Sequence, residues 1–471
     1  MPGISLYTGN RLELLADRFA EIIHNNPLPP LEQETILVQS KGMARWLAME
    51  TATRLNIWAN CDCPFPNSFI NKIFRHTLPN ISDNFPYDKE TITFHLMELI
   101  PGLINKPAFK PVQDYLQGTG DIGLFQLASQ IADLFDQYTL YRPDMILSWE
   151  SGNGSTVAGQ DWQPQLWRQL IDRLHKNKLP GSAHRARLYD NFQRTVSAPG
   201  FDPGPLPTRV SVFGISSLPP YHLNILATLA PFIDLHFFII NPCREFWADI
   251  IADRQIVKIS RQEQLTEEFL HLQEGNSLLA SMGQLGRDMI AMLHNLDCQE
   301  HEFFIDPGHG TLLSSIQQDI LHLHNRNPGI NETTSHKKDT QLTGKQPVNH
   351  HDASVLFQSC HSPMREIEAL HDHLLATFNN RSADQPIEPR DILVMTPDID
   401  AYGPLIQAVF GSSPGSTPRI PYTISDRKIR NTSHFIETFF NLLSLPNSRL
   451  SNVQVISLLE SEAVQRRFKI A

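Results

Sequence analysis

The chain has 471 residues, 41% of them hydrophobic and 19% charged, with 39 Lys+Arg against 50 Asp+Glu and a formal charge of −11. The length accommodates about three domains of ~150 residues, and the composition supports a sizeable packed core and excludes wholesale disorder. The acidic balance argues against a protein that coats nucleic acid or anionic membrane through bulk charge, and leaves room for a local basic groove. Residues 4–7 read as a short apolar strand, after which Asn10 is placed to cap a helix with apolar positions at Leu12, Leu15, Phe19, Ile22 and Ile23. Residues 36–38 form an apolar run bounded by polar residues, the signature of a buried parallel strand. The helix after Gly42 carries Met43, Trp46, Leu47 and Leu55 on its buried side. Such alternation predicts βαβ units around a parallel sheet, an α/β fold.

From about Asn67 to Thr208 the periodicity is helical only, with one apolar face at Phe125, Leu127, Ile131, Leu134, Phe135 and Tyr138 and another at Leu166, Leu170, Ile171 and Leu174. Strand signals return at 210–213 and 235–240, so the pattern reads as an α/β layer interrupted by a helical insertion of roughly one domain. The most apolar run, 223–240, is broken by Pro231, Asp234 and His236 and reads as a helix followed by a buried strand, not a membrane span. One helix is predicted from Ser277 to about Leu293, and its Gly283 and Gly286, each costing ~1 kcal/mol against Ala, imply close backbone packing. Residues 325–352 are almost free of large apolar side chains and read as a linker. Beyond it, α/β order resumes with expected strands at 355–357, 392–395 and 422–424 and a helix started by Ser362-Pro363. The last segment, SNVQVISLLESEAVQRRFKIA, runs out without a cap, so the chain is expected to be cut from something longer. No basic region followed by an apolar core opens the chain, and five scattered cysteines suit a reducing compartment; both point to a cytoplasmic protein with no membrane association.

Tests for chemistry come back largely negative. No G-x-x-x-x-G-K-[ST] phosphate loop occurs, and after the first strand the chain has Thr8-Gly9-Asn10-Arg11, which cannot wrap a triphosphate. No catalytic site, cofactor or metal is therefore expected in this chain. Cys61-Asp62-Cys63 lacks a second ligand pair, and the histidine pairs 322/324, 350/351 and 371/373 are too closely spaced to converge on one ion from a helix. Gly214-Ile215-Ser216-Ser217 lacks the closing glycine of a nucleophile elbow. A loose PD…DxK match, Asp398 with Asp426 and Lys428, gives a Mg²⁺-dependent nuclease as the alternative function; the plainer reading has Asp398 capping a helix and Asp426 closing a turn. Nucleic-acid contact has more support. Residues 162–194 hold Arg168, Arg173, Lys176, Lys178, Arg185, Arg187 and Arg194 against Asp172 and Asp190, a local charge of +5, interleaved with Trp162, Trp167, His175, His184 and Tyr189. Composition alone leaves a solvated helical face as an equal contender. Lys41 and Arg45 share one face at the start of their helix, an end that already favours phosphate.

Five segments in order, ILVQSKGMARWL (36–47), FDQYTLYRPD (135–144), GNSLLASMGQLGRDMI (275–290), QSCHSPMREIEALHDHLL (358–375) and IPYTISDRK (420–428), resemble the RecC family, the gamma chain of exodeoxyribonuclease V in the bacterial RecBCD complex. Members are roughly twice this length, so the likeness covers their N-terminal half. The resemblance implies helicase-like, superfamily 1 type parallel-sheet domains whose ATP site is degenerate. Domain 1A would comprise 1–66 and 207–324, and the helical domain 1B 67–206. A linker at 325–352 would lead to 353–471, a truncated domain 2A running into helical 2B. It implies a non-motor subunit that receives double-stranded DNA ends, channels the unwound single strands to RecB-like and RecD-like partners, which use the ATP and Mg²⁺, and scans the 3′-ended strand for Chi during recombinational repair. Of the positions associated with Chi reading, Gln39, Arg142 and Arg185 keep residue types suited to DNA contact. Asp133, Leu134, Asp136 and Gln137 are expected to support the channel. Four depart: Lys41 stands for Thr, Arg45 for Gln, Phe65 for Leu and Asn71 for Trp. Arg prefers guanine O6/N7 where Gln pairs with adenine, and loss of an aromatic at 71 removes a stacking platform, so a different Chi sequence, or none, is expected to be read.

Overall fold

A computed structural model describes residues 2–79, 81, 87–154, 161–176, 183–204, 206–250, 275–326, 347–379, 387–411, 419–426 and 433–469. By internal packing the chain divides into two units, Met1–Ser354 and Val355–Ala471. In the first, β1 (Gly3–Gly9), β2 (Glu34–Leu37), β3 (Cys61–Asp62), β4 (Arg209–Phe213), β5 (Asp234–Ile240) and β6 (Gln299–Phe303) form one sheet in the order β3-β2-β4-β5-β1-β6. Every pairing is parallel, with Tyr7 opposite Phe238 on one side and His301 on the other. Helices α1 (Leu12–Asn25), α2 (Lys41–Leu55) and α3 (Pro66–Thr77) follow β1, β2 and β3. Between α3 and β4 lie α4 (Lys89–Leu103), α5 (Lys110–Leu116), α6 (Gly120–Tyr141), α7 (Pro143–Glu150), α8 (Trp162–Lys176) and α9 (Arg185–Val196). The described helices α10 (Pro220–Leu229), α11 (Ser277–Met282), α12 (Gln284–His294) and α13 (Leu312–Leu321) follow.

The alternation of side chains decides the layering. Leu6, Leu37, Val210, Val212, Leu235 and Phe237 share one face of the sheet and pack with Phe69 and Phe74 of α3, Leu226 of α10 and Met289 of α12. Tyr7, Ile36, Val38, Phe213 and Phe238 point to the other, where Leu15, Phe19 and Ile23 of α1 and Leu47 of α2 cover them. Strands buried on both faces read as continuous apolar runs, which is why β1, β2, β4 and β5 were visible in the sequence. Neither β3, two residues long, nor β6, whose Gln299-Glu300-His301-Glu302-Phe303 is a polar edge strand, carries that signal. Helices α4 to α9 build a separate core around Leu96, Ile100, Phe135, Trp149, Leu166 and Trp167, with Phe135 and Trp167 edge-on at 5.2 Å.

Several local expectations are corrected. Asn10 does not cap α1. Its amide bonds the Ile305 carbonyl at 2.7 Å and accepts from Ile305 N–H at 3.0 Å, so the turn after β1 is tied to the segment leaving β6. The helix expected at 277–293 breaks into α11 and α12 at Gly283, where an added Cβ would lie 2.9 Å from Trp247. In the second unit, α14 (Pro363–Asn379), α15 (Ile399–Gly411), α16 (His434–Ser444), α17 (Asn452–Leu459) and α18 (Glu462–Phe468) are described. The strands expected at 355–357, 392–395 and 422–424 are absent; among the described residues no ladder exists beyond β6. A strand needs a hydrogen-bonded neighbour, and here Phe357, Leu393 and Met395 stand 93, 80 and 84% exposed. Among the described residues the sheet thus belongs to the first unit. Residues 327–346 of the expected linker lie outside the described residues. No described helix is long and apolar enough to cross a membrane.

Candidate nucleic-acid interface

Parallel sheets present ligand sites at the carboxyl ends of their strands. At that end of β2 the chain leaves Leu37 through Gln39 and Ser40 into α2, with the Ser40 hydroxyl accepting from Met43 N–H at 3.1 Å. The first turn of α2 holds no acidic residue, so the positive end of the helix dipole stays uncompensated. Gln39, Lys41 and Arg45 are exposed, and neither cation is ion-paired with a described residue. Beyond the neighbouring β3, Pro64 O accepts from Val38 N–H at 3.4 Å, and Phe65 then leads into α3. Phe65 and Asn71 line a groove together with Asn67, Ser68, Lys72, Arg75 and His76. Lys72 is partly neutralised by Asp62 at 3.1 Å. Of the groove residues, sequence reasoning had singled out Phe65 and Asn71 alone. The available signal for the others was polar recurrence at i, i+4 (Asn67/Asn71, Ser68/Lys72) opposite the buried Phe69, Ile70, Ile73 and Phe74.

The remaining candidates sit on the helical body. Asp133 of α6 accepts from Lys89 at 2.8 Å and from the Gln137 amide at 3.0 Å, and these bonds, Lys89 foremost, hold its carboxyl below the usual range. Asp136 pairs with Arg185 at 2.5 Å. Through these contacts α6 is tied to the start of α4 and the start of α9, while Leu134 is half-buried between them in sequence. Arg142 stands exposed at the junction of α6 and α7, fixed by Pro143 at the first position of α7, with no described partner for its guanidinium. Of the three sequence-matched polar contacts, Gln39 and Arg142 are thus open to solvent, and Arg185 is engaged within the protein.

The arginines of the +5 segment are engaged within the protein. Arg173 pairs with Glu98, Arg185 with Asp136, Arg187 with Glu150 and Asp190, and Arg194 with Asp190, while Arg168 donates to the carbonyls of Trp149 and Asn153. Three of those carboxylates come from outside the segment, which a local charge sum cannot register. Trp167 and His184 are buried: His184 caps α9, its Nδ1 accepting from Arg187 N–H, and its Nε2 meets the Glu150 carboxylate. Burial opposes the charge on Glu150, yet the bonds and charges of His184 and Arg187 hold its carboxyl down at about 2. Lys178 lies outside the described residues.

Of the nuclease-like residues, Asp398 and Asp426 are described. Asp398 accepts from Asp400 and Ala401 N–H at 3.1 and 3.2 Å, capping α15. Asp426 is exposed at φ +64°, and Lys428 is outside the described residues. Among the described residues no three His, Cys, Asp or Glu side chains come together as a metal site.

Comparison with known proteins gives concordant matches. The family model "RecC, N-terminal domain" matches residues 4–323. The RecBCD enzyme subunit RecC of Escherichia coli (strain K12) is 40% identical over 99% of this chain and 43% of its own length. That of Haemophilus influenzae is 33% identical over 99% of the chain and 44% of its own length, and that of Mycolicibacterium smegmatis 28% over 99% and 41%. The chain therefore spans less than half the length of the curated relatives it matches.

Proposed function

The chain belongs to the RecC family, and on that premise we propose that it serves as the non-motor, DNA-binding part of a RecBCD-type exodeoxyribonuclease V. In this reading it channels unwound strands toward RecB-like and RecD-like subunits in the cytoplasm and scans the 3′-ended strand during recombinational repair of double-strand breaks. The observation that carries it is the in-register likeness to RecC over 99% of the chain. The open residues at the carboxyl ends of β2 and β3, Gln39, Lys41, Arg45, Phe65 and Asn71, support a strand-binding edge. Cations contact phosphate, Phe65 offers a stacking surface, and the amides meet base edges. Asp133, Leu134, Asp136, Gln137 and Arg185 are read as bracing the helical body behind that edge, with Arg142 as an outlying phosphate contact.

The same reading assigns 1–66 with 207–324 to a helicase-like domain, 67–206 to its helical insertion, and 353–471 to part of a second such domain. A degenerate ATP site accords with the turn after β1. There an added Cβ on Gly9 would lie 2.4 Å from Phe303 O, and the Asn10 side chain is tied to Ile305, so the short turn is packed against the segment leaving β6. Because Lys41, Arg45, Phe65 and Asn71 change the chemistry of the strand-binding edge, the sequence read is expected to differ from that of enterobacterial relatives. The test combines this chain with RecB-like and RecD-like subunits and follows degradation of linear DNA carrying candidate octamers. Protection by the enterobacterial Chi sequence would count against altered reading, and failure of the chain to bind single-stranded DNA in a salt-dependent way would count against the whole proposal.

A further inference from the structure

His222 of α10 is 4% exposed, and its Nε2 lies 2.8 Å from Oδ1 of Asn67 in the groove. Its Nδ1 is also buried and meets no hydrogen-bond partner. Burial, assisted by the charge of Arg185, pushes the imidazole down to about 4, so the ring is neutral near pH 7. Of its two neutral tautomers, one buries an unpartnered Nδ1–H. The other puts the proton on Nε2, where the Asn67 carbonyl accepts it, and leaves only a bare ring nitrogen unpaired. The second is favoured, and it fixes the carboxamide of an otherwise exposed residue: oxygen toward His222, amino group toward the groove. Asn71, one turn further along α3, has no side-chain hydrogen bond to a described residue and turns either end to a ligand.

We propose that Asn67 is a base-reading residue of the groove, latched by His222 as a hydrogen-bond donor that selects keto bases. This deepens the reading above and rests on single-stranded DNA occupying the groove. At the exocyclic position guanine O6 and thymine O4 accept from a fixed amino group, whereas adenine N6 and cytosine N4 confront it donor to donor and flank the ring acceptors beside them with a repelling N–H, so the preference is a partial one. Discrimination therefore lies at Asn67, and Asn71 adds contact without choice.

The test measures fluorescence anisotropy of the 471-residue chain with two labelled strands of about 20 nucleotides, alternating guanine–thymine and alternating adenine–cytosine. Both alternate purine with pyrimidine, carry equal charge and lack Watson–Crick self-complementarity, and a melting curve of each free strand checks that it is unpaired. The guanine–thymine strand is expected to bind about fivefold more tightly, the worth of one net hydrogen bond. Asn67→Ala should abolish the preference. Asn67→Asp keeps an acceptor for His222 and removes the donor, so the preference should vanish or invert in a variant that retains the buried bond. His222→Leu should lose most of the preference and His222→Gln, which restores a donor, should recover it. Equal, salt-dependent binding of both strands by the unaltered chain, or a preference that survives Asn67→Asp, overturns the proposal and leaves DNA binding standing. Absence of salt-dependent binding to either strand overturns both.

Discussion

Replacing Arg185 with Gln separates two roles for a cation in that place, a phosphate contact and an internal brace. Its guanidinium lies 2.5 Å from Asp136, with the two side chains 26 and 35% exposed. Fully exposed pairs contribute ~0.2–1 kcal/mol and protected hydrogen bonds to charged groups ~1.5–3 kcal/mol. Asp136 is exposed by about a third, so solvent screening places this pair near the lower range, at about 1 kcal/mol. Urea unfolding of Arg185→Gln, Asp136→Asn and the double variant should therefore give a coupling energy of about 1 kcal/mol. In parallel, the dependence of single-strand affinity on salt should be unchanged by Arg185→Gln. Arg142→Gln, by contrast, should lower the logarithmic slope by about 0.7, one phosphate contact. A coupling near zero, together with a slope loss for Arg185→Gln equal to that for Arg142→Gln, would refute the brace.

Three further outcomes are expected. Burial first, and neighbouring arginines second, hold both His222 and His236 down at about 4 against 6.5, so the unfolded chain takes up protons that the native state refuses. The stability from both is complete above pH 6.5 and is lost as pH falls toward 4, at up to ~1.4 kcal/mol per unit for each; burial depresses His95 and His324 in the same direction, so His236→Phe should lessen, without abolishing, the fall in urea midpoint between pH 7 and 4.5, and an unchanged slope would contradict the assignment. Gly283→Ala should destabilise by ~1–3 kcal/mol because its methyl would meet Leu279 O at 2.5 Å and Trp247 at 2.9 Å. Gly286→Ala meets Trp247 at an ordinary 3.5 Å and should be neutral or stabilising by up to ~1 kcal/mol; equal effects of the two in thermal unfolding would defeat the distinction. Finally, the hydrogen bond from Cys63 brings the Cys61 thiol down to about 6, whereas burial pushes Cys298 up. Iodoacetamide at pH 7 should label Cys61 before Cys298 by mass spectrometry, Cys63→Ala should slow that labelling, and indifference to the substitution would show that Cys63 does not activate it.

What was legible in the sequence followed from how many neighbours an element needs. Strands such as 210–213, buried on both faces, and helices such as α1, with a clear apolar stripe, announce themselves locally. Edge strand β6 and the two-residue β3 do not, since a ladder bond rather than hydrophobicity defines them. In the second unit the opposite error occurs: 392–395 has the composition of a strand and no neighbour to pair with among the described residues. At the candidate interface, Lys41 and Arg45 drew notice from their place at a helix start, whereas Phe65 and Asn71 entered only through the family resemblance. The neutralisation of Arg173 by Glu98, 75 residues away, and the hold of His222 on Asn67, 155 residues away, were not legible, because no local pattern encodes them. The two helix glycines show the same divide, as equal signals in the sequence meet unequal space in the fold.

The place of β1 between β5 and β6 bears on how the chain is made. Tyr7 and its β5 neighbour His236 are 229 residues apart, and Asn10 and Ile305 are 295 apart. At a synthesis rate of ~5–20 residues per second, β1 leaves the ribosome roughly 10–45 s before its first ladder partner. During that interval Ile4, Leu6 and Tyr7 have no sheet to enter. The helical body meanwhile gathers its whole core between Tyr87 and Ala186 and is complete first. A holding chaperone, or a slow stretch of translation placed after β6, is thus expected to raise the yield of this fold more than any change within the helices.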